Sequence, residues 1–127
     1  MLKDDFFSIT TLDIESDVIK ATLQLNEKHE IFDGHFPGQP VVPGVCMMQM
    51  VKEVVETAVG KKMLLAKAIE IKFLIVIDPN QSSILKLQLK YSSEADGKIH
   101  VAANLFHDTS VCFKFKGVFQ LRENSAQ

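Results

Sequence analysis

The sequence predicts an α+β domain in which a curved antiparallel sheet wraps around one long central helix. Three observations carry that reading. One stretch, Val42 to Val59, is long and apolar enough to be a buried helix, and no other stretch matches it. The segments on either side have strand lengths, with alternating or mostly apolar residues. Turn chemistry separates them at Ser16-Asp17, Asp78-Pro79-Asn80, Glu94-Ala95-Asp96-Gly97 and Asp108-Thr109.

The elements follow in order. Phe7 to Glu15 and Val18 to Leu25 form a hairpin across Ser16-Asp17. In the second strand Val18, Lys20, Thr22 and Gln24 face one way, and Ile19, Ala21, Leu23 and Leu25 the other. Asn26 to Gln39 reads as a loop. The helix follows, with Pro43 suited to its first turn. Gly60 and Lys61-Lys62 mark its end, the lysines suiting the negative end of the dipole. Val45, Met48, Val51, Val54, Val55 and Ala58 make most of its circumference apolar, so the helix is buried. Gln49, Lys52, Glu53 and Glu56 form a polar stripe, expected where the helix emerges into solvent because charged helix residues are mostly exposed. Strands then run over Ala66 to Ile77, Ser83 to Tyr91, Lys98 to His107 and Val111 to Leu121. A sheet curled around the helix is the simplest packing of these parts. The tail, Arg122 to Gln127, is polar and expected to fray.

Composition narrows the function classes. A chain of 127 residues, 46% hydrophobic, is a single domain spanning 1–127 with a real core. A net charge of −2 lacks the basic face that nucleic-acid binding requires. Cys46 and Cys112 are far apart and do not read as a disulfide framework, and no zinc-ligand spacing is present. No metal or cofactor is expected. No segment approaches the roughly 20 apolar residues that span a bilayer, and the N-terminus lacks a signal-like apolar run. A cytoplasmic location is the expectation, with no membrane partner.

The most informative stretch is Gly34-His35-Phe36-Pro37-Gly38-Gln39-Pro40-Val41-Val42-Pro43-Gly44-Val45. Pro37, Pro40 and Pro43 fix φ and remove three backbone donors, so this segment is neither ordinary helix nor central strand. A loop this stiff holds its side chains still, and His35 is the one suited to acid–base work near neutral pH.

This pattern resembles the signature of the β-hydroxyacyl-acyl-carrier-protein dehydratases, a hotdog-fold family. The likeness is densest from Asn26-Glu27 through Phe32, Gly34 to Pro37, Pro40 and Pro43 to Val45. It implies a hotdog fold and a dimer whose active sites draw on both chains. It implies His35 as the base that removes the proton α to the thioester carbonyl, and the Gly44 backbone N–H as donor to the developing enolate. The family's acidic residue lies fourteen positions after its histidine, and here that position is Gln49. An amide cannot act as a general acid, but it can hydrogen-bond a hydroxyl or a water. The resemblance thus implies a 3-hydroxyacyl thioester dehydratase acting on an acyl-carrier-protein-linked substrate, as a homodimer. Two alternatives stand beside it. One is a non-catalytic or half-site subunit that pairs with an acid-bearing relative in a hetero-oligomer. The other is a hotdog acyl thioesterase.

Other residues carry weaker signals. His29, between Lys28 and Glu30, reads as a solvated loop residue, and His100 and His107 as strand residues. Cys46 lies in the helix's first turn, where a thiolate would be stabilised, but buried cysteines are mostly packing residues. Met47, Met48 and Met50 suit a core or an acyl tunnel. An acidic carrier protein needs a local basic patch, for which Lys61, Lys62 and Lys67, or Lys72, Lys86 and Lys90, are candidates.

Overall fold

A computed structural model of the chain describes residues 2–34, 41–81 and 83–122. The elements are β1 (Phe7–Glu15), β2 (Val18–Leu25), α1 (Ile31–Gly34), α2 (Gly44–Val59), β3 (Met63–Phe73), β4 (Ile84–Ser93), β5 (Lys98–His107) and β6 (Ser110–Leu121). His35, the rest of the proline loop through Pro40, and tail residues 123–127 lie outside the described residues.

The strands form one six-stranded sheet in the order β1-β2-β4-β5-β6-β3, antiparallel throughout. Between β2 and its neighbour β4 the chain makes α1, α2 and β3, and it lays β3 on the far edge beside β6. The register puts apolar residues in line across the inner face. One row reads Ala21, Leu87, Leu105, Phe113 and Phe73, and the next Ile19, Leu89, Ala103, Phe115 and Ile71. The alternate row, Lys20, Gln88, Asn104, Lys114 and Lys72, faces outward. The inner rows close on α2, whose Cys46, Met47, Met50, Val51, Val54 and Val55 are buried.

Local chemistry sets the ends of α2. Pro43 is its N-cap in extended geometry, with φ −62° and ψ 144°, and its carbonyl accepts the Cys46 and Met47 N–H groups at 3.0 and 3.3 Å. The expected start at Val42 is two residues early, because a residue before proline is held extended. Val42 instead donates to the Ile77 carbonyl at 2.9 Å. Gly60 ends the helix in the left-handed region at φ 79°, donating to the Glu56 carbonyl at 2.8 Å.

Three expectations change. Residues 74–77 leave the β3 ladder: the Leu74 and Ile75 N–H groups both donate to the Cys112 carbonyl, and Ile77 turns into the core with no exposed surface. The stretch read as a loop contains the short helix α1. Glu53 and Glu56, expected in solvent, are buried. The N-terminal turn folds over this face of α2, and backbone N–H groups of Leu2 and Lys3 point at Glu53. Glu56 accepts the Met63 N–H at 2.8 Å and lies 4.0 Å from Lys52.

β3 is an edge strand that exposes apolar side chains, with Leu64 53%, Ile69 54% and Phe73 56% accessible. Val45 on α2, at 77%, and Val76, at 73%, extend the apolar surface.

Where β3 bulges against β6, Gly117 has no room for a side chain. A Cβ there would lie 2.5 Å from the Phe115 ring and 2.6 Å from the Lys67 carbonyl oxygen. Gly117→Ala is therefore expected to lower stability by about 1–3 kcal/mol, the usual cost of overpacking. A urea midpoint unchanged by the substitution would contradict this packing.

Candidate functional site

The site is built at the head of α2. Gly44 is the first helical residue, so its N–H has no intrahelical acceptor, and no backbone carbonyl among the described residues takes it. That N–H lies at the positive end of the helix dipole. Phe73, at the end of β3, packs directly on Gly44: a Cβ at position 44 would lie 2.7 and 2.8 Å from two atoms of its ring. Phe73 is held by stacking on Phe113, with centroids 5.2 Å apart and an interplanar angle of 28°. Between Val41–Gly44, Met47 and Phe73–Val76 lies a cleft of about 340 Å³. Among the described residues its lining side chains are apolar, and the polar groups they bring to it are backbone ones.

Gln49 stands elsewhere on the helix. Five residues beyond Gly44, it is rotated by about 140° and displaced by about 7.5 Å along the axis. It does not line the Gly44 cleft. Its Nε2 donates to Glu53 Oε2 at 2.8 Å. Of the three site residues expected from the sequence, Gly44 heads the cleft, Gln49 faces another way in the same chain, and His35 lies outside the described residues.

Glu53, like Glu56, is buried where the sequence predicts solvent. Both its oxygens are hydrogen-bonded, to the Leu2, Lys3 and Gln49 N–H groups, and the carboxylate has no exposed surface. Its spacing from Gln49 was legible as a same-face pair. The donors from the chain's N-terminus had no local signal.

The remaining candidates resolve into structural roles. His29, expected in solvent, has a side chain only 13% exposed. Its ring meets Phe6 edge-on, with centroids 5.4 Å apart. Its Nδ1 accepts the Ile31 N–H at 3.0 Å, which leaves Nε2 to donate to Asp5 Oδ2 at 3.0 Å. His100 pairs with Glu94 at 2.8 Å on the surface. His107 Nε2 is buried with no hydrogen-bond partner among the described residues. Cys46 is buried, and burial pushes its thiol up from the ordinary 9.0, which outweighs the first-turn position. Burial raises Cys112 to about 11, partly offset by a backbone hydrogen bond. Met47 and Met50 are core, and Met47 also lines the cleft. Lys72, Lys86 and Lys90 lie on the outer face of the sheet. Among the described residues no cluster of three or more His, Cys, Asp or Glu could hold a metal, and no helix is long and apolar enough to cross a membrane.

A family model described as ApeI-like, ApeI dehydratase, matches residues 11–114. The 3-hydroxyacyl-[acyl-carrier-protein] dehydratase FabZ of Fusobacterium nucleatum is 27% identical over 114 residues, covering 83% of this chain and 81% of that protein. FabZ of Lactobacillus helveticus is 31% identical over 100 residues, covering 72% and 65%. Among solved structures, the dehydratase heterocomplex ApeI:P from Xenorhabdus doucetiae superposes with a TM-score of 0.67 at 20% identity, covering 87% of this chain and 95% of that one. The six-stranded antiparallel sheet around one helix is the hotdog fold.

Two thiols in such settings should be inert. A thiol reagent at pH 8 is expected to label Cys46 and Cys112 fast only after denaturation; fast labelling of native protein would contradict their burial. The pH dependence has a defined sign. Cys112 keeps its proton in the folded state up to about 11 but loses it near 9.0 when unfolded, so its contribution to stability is full below 9.0 and lost as pH rises towards 11. Urea titrations across that window should show a steeper loss for the wild type than for Cys112→Ala.

Proposed function

Because the chain belongs to the ApeI-like dehydratase family, we propose that it eliminates water from a 3-hydroxyacyl thioester on an acyl carrier protein, giving the trans-2-enoyl thioester. The observation that carries this reading is the Gly44 N–H at the head of α2, beside an apolar cleft. A thioester carbonyl oxygen seated there receives a hydrogen bond that strengthens as enolate charge develops. His35 removes the α proton. The released electron pair forms the Cα–Cβ double bond as the Cβ–O bond breaks. The departing hydroxyl needs a proton, and the Gln49 amide has none to give. The imidazolium formed in the first transfer has one, so the proton taken from Cα leaves on the water and His35 is regenerated. Gln49 orients the hydroxyl in this scheme.

The angular separation of Gly44 and Gln49 on α2 fits a site that takes Gly44 and His35 from one chain and Gln49 from a second. The exposed apolar edge at β3 and Val45 suits such a pairing. A homodimer is the first arrangement. A second reading, pairing with a related acid-bearing subunit, has support in the heteromeric assembly named for the ApeI:P structure.

Turnover assays with 3-hydroxyacyl and acyl thioesters test the reaction. Enoyl thioester should form, and His35→Ala should slow it by at least about 10²-fold, the usual contribution of a positioned acid–base group. Release of free thiol without enoyl product would instead assign hydrolysis. Sedimentation of the 14.2 kDa chain at micromolar concentration should give a dimer. A stable monomer that becomes active only with an acid-bearing relative would favour the second reading.

A further inference from the structure

We propose that Glu53 is a positioning residue for Gln49, and that it links the candidate active site to the N-terminal turn of the chain. This rests on the placement of Gln49 in the site under the function proposed above.

Glu53 follows Gln49 by one helical turn and has 0% exposure. Its Oε2 accepts Gln49 Nε2–H at 2.8 Å and the Leu2 N–H at 2.9 Å, while its Oε1 accepts the Leu2 and Lys3 N–H groups at 3.0 and 2.7 Å. Among the described residues no Lys, Arg or His forms an ion pair with it. With both oxygens taking N–H donors from the described residues, the Glu53 carboxyl meets Gln49 as an acceptor.

That has a chemical consequence for Gln49. The two ends of a free carboxamide are close in shape and opposite in function: the oxygen accepts, the nitrogen donates. Glu53 can receive only the nitrogen, so Nε2 is held towards position 53. Oε1 accepts no hydrogen bond among the described residues and is the end left to meet a substrate. An oxygen there accepts the O–H of a 3-hydroxyl group. The hydroxyl's lone pairs then turn away from Gln49, towards the side from which a proton must arrive. A donor in the same place would occupy those lone pairs and oppose protonation. The N-terminal turn fixes Glu53 in its place. It is itself folded by the Phe6 N–H donating to the Leu2 carbonyl at 2.7 Å and the Asp4 N–H to the Phe7 carbonyl at 2.6 Å.

A carboxyl placed at position 49 alone would face Glu53 across the same contact. Two carboxyls in contact cannot both ionise freely and would share a proton between them, away from substrate. Exchanging the two residues removes that conflict, since the amide is then at 53 and the single carboxyl at 49.

The test has a spectroscopic arm and a kinetic arm. In isotopically labelled wild-type protein, one Gln49 side-chain amide proton should exchange slowly and show the downfield shift of a bond to carboxylate, and Glu53→Gln should abolish that shift. A freely exchanging Gln49 amide in the wild type overturns the proposal without recourse to any variant. In turnover, Glu53→Gln should lower kcat by about 10- to 10²-fold with little change in KM, the scale expected when a reacting group loses its alignment. The double variant Gln49→Glu/Glu53→Gln should exceed Gln49→Glu in activity. Wild-type kcat in Glu53→Gln, or effects of the two substitutions that simply add, would overturn it. If the wild type eliminates water from no 3-hydroxyacyl thioester, the proposed function fails, and the amide signal still decides the orientation of Gln49.

Discussion

Helix α2 carries apolar side chains on most of its faces, and leaving them in water forfeits about 25 cal/mol for every Å². One sheet cannot cover a cylinder unless it curls, so the inner faces of β2, β4, β5 and β6 close around Met50, Val51, Val54 and Val55. The strand order follows from the same demand. The chain passes along α2 before returning as β3, which places that strand on the opposite edge from β1. The tight fit of Gly117 against Phe115 and the Lys67 carbonyl shows how closely β3 and β6 are pressed where the sheet turns. What the wrapping leaves bare is the apolar edge of β3 with Val45, a surface that a single chain does not cover.

Burying the helix also buries polar groups, and Glu53, Glu56 and His29 find their partners chiefly in backbone N–H groups. Glu53 is matched to the N-terminal turn, Glu56 to the Met63 N–H, and His29 to Ile31 and Asp5 beneath Phe6. These contacts replace hydration that would otherwise be lost, at a net worth of about 1 kcal/mol per bond, and cost more than that to break on one side alone. They pin the N-terminus and the α1 turn onto the core without a disulfide.

The candidate site inherits its features from this arrangement. The apolar cleft and the Gly44 donor at its head arise because Pro43 starts the helix where Phe73 leaves the sheet. A Cβ at position 44 would have to push the Phe73 ring aside, so the residue that heads the helix is also the residue that lets Phe73 come close. Gln49 belongs to a different face, governed by Glu53 rather than by the cleft. Within one chain the donor and the amide face different ways.

The sequence by itself determined the features that rest on neighbours in the chain. β1, β2 and β5 have the expected ends, because alternation and turn residues such as Ser16, Gly97 and Asp108, all at positive φ, are local signals. The end of α2 at Gly60 is equally local. The pairing of Gln49 with Glu53 one helical turn on is local as well. Tertiary structure decided the rest. Glu53 reads as a solvent-facing helix residue until Leu2, 51 positions away, donates to it. β3 ends at Phe73 rather than Ile77 because Cys112 and Val42 capture residues 74–77, and His29 leaves solvent because Phe6 covers it. In each case the deciding partner is distant along the chain, and hydropathy or turn chemistry read over a short window cannot sense a hydrogen bond that only folding brings into range.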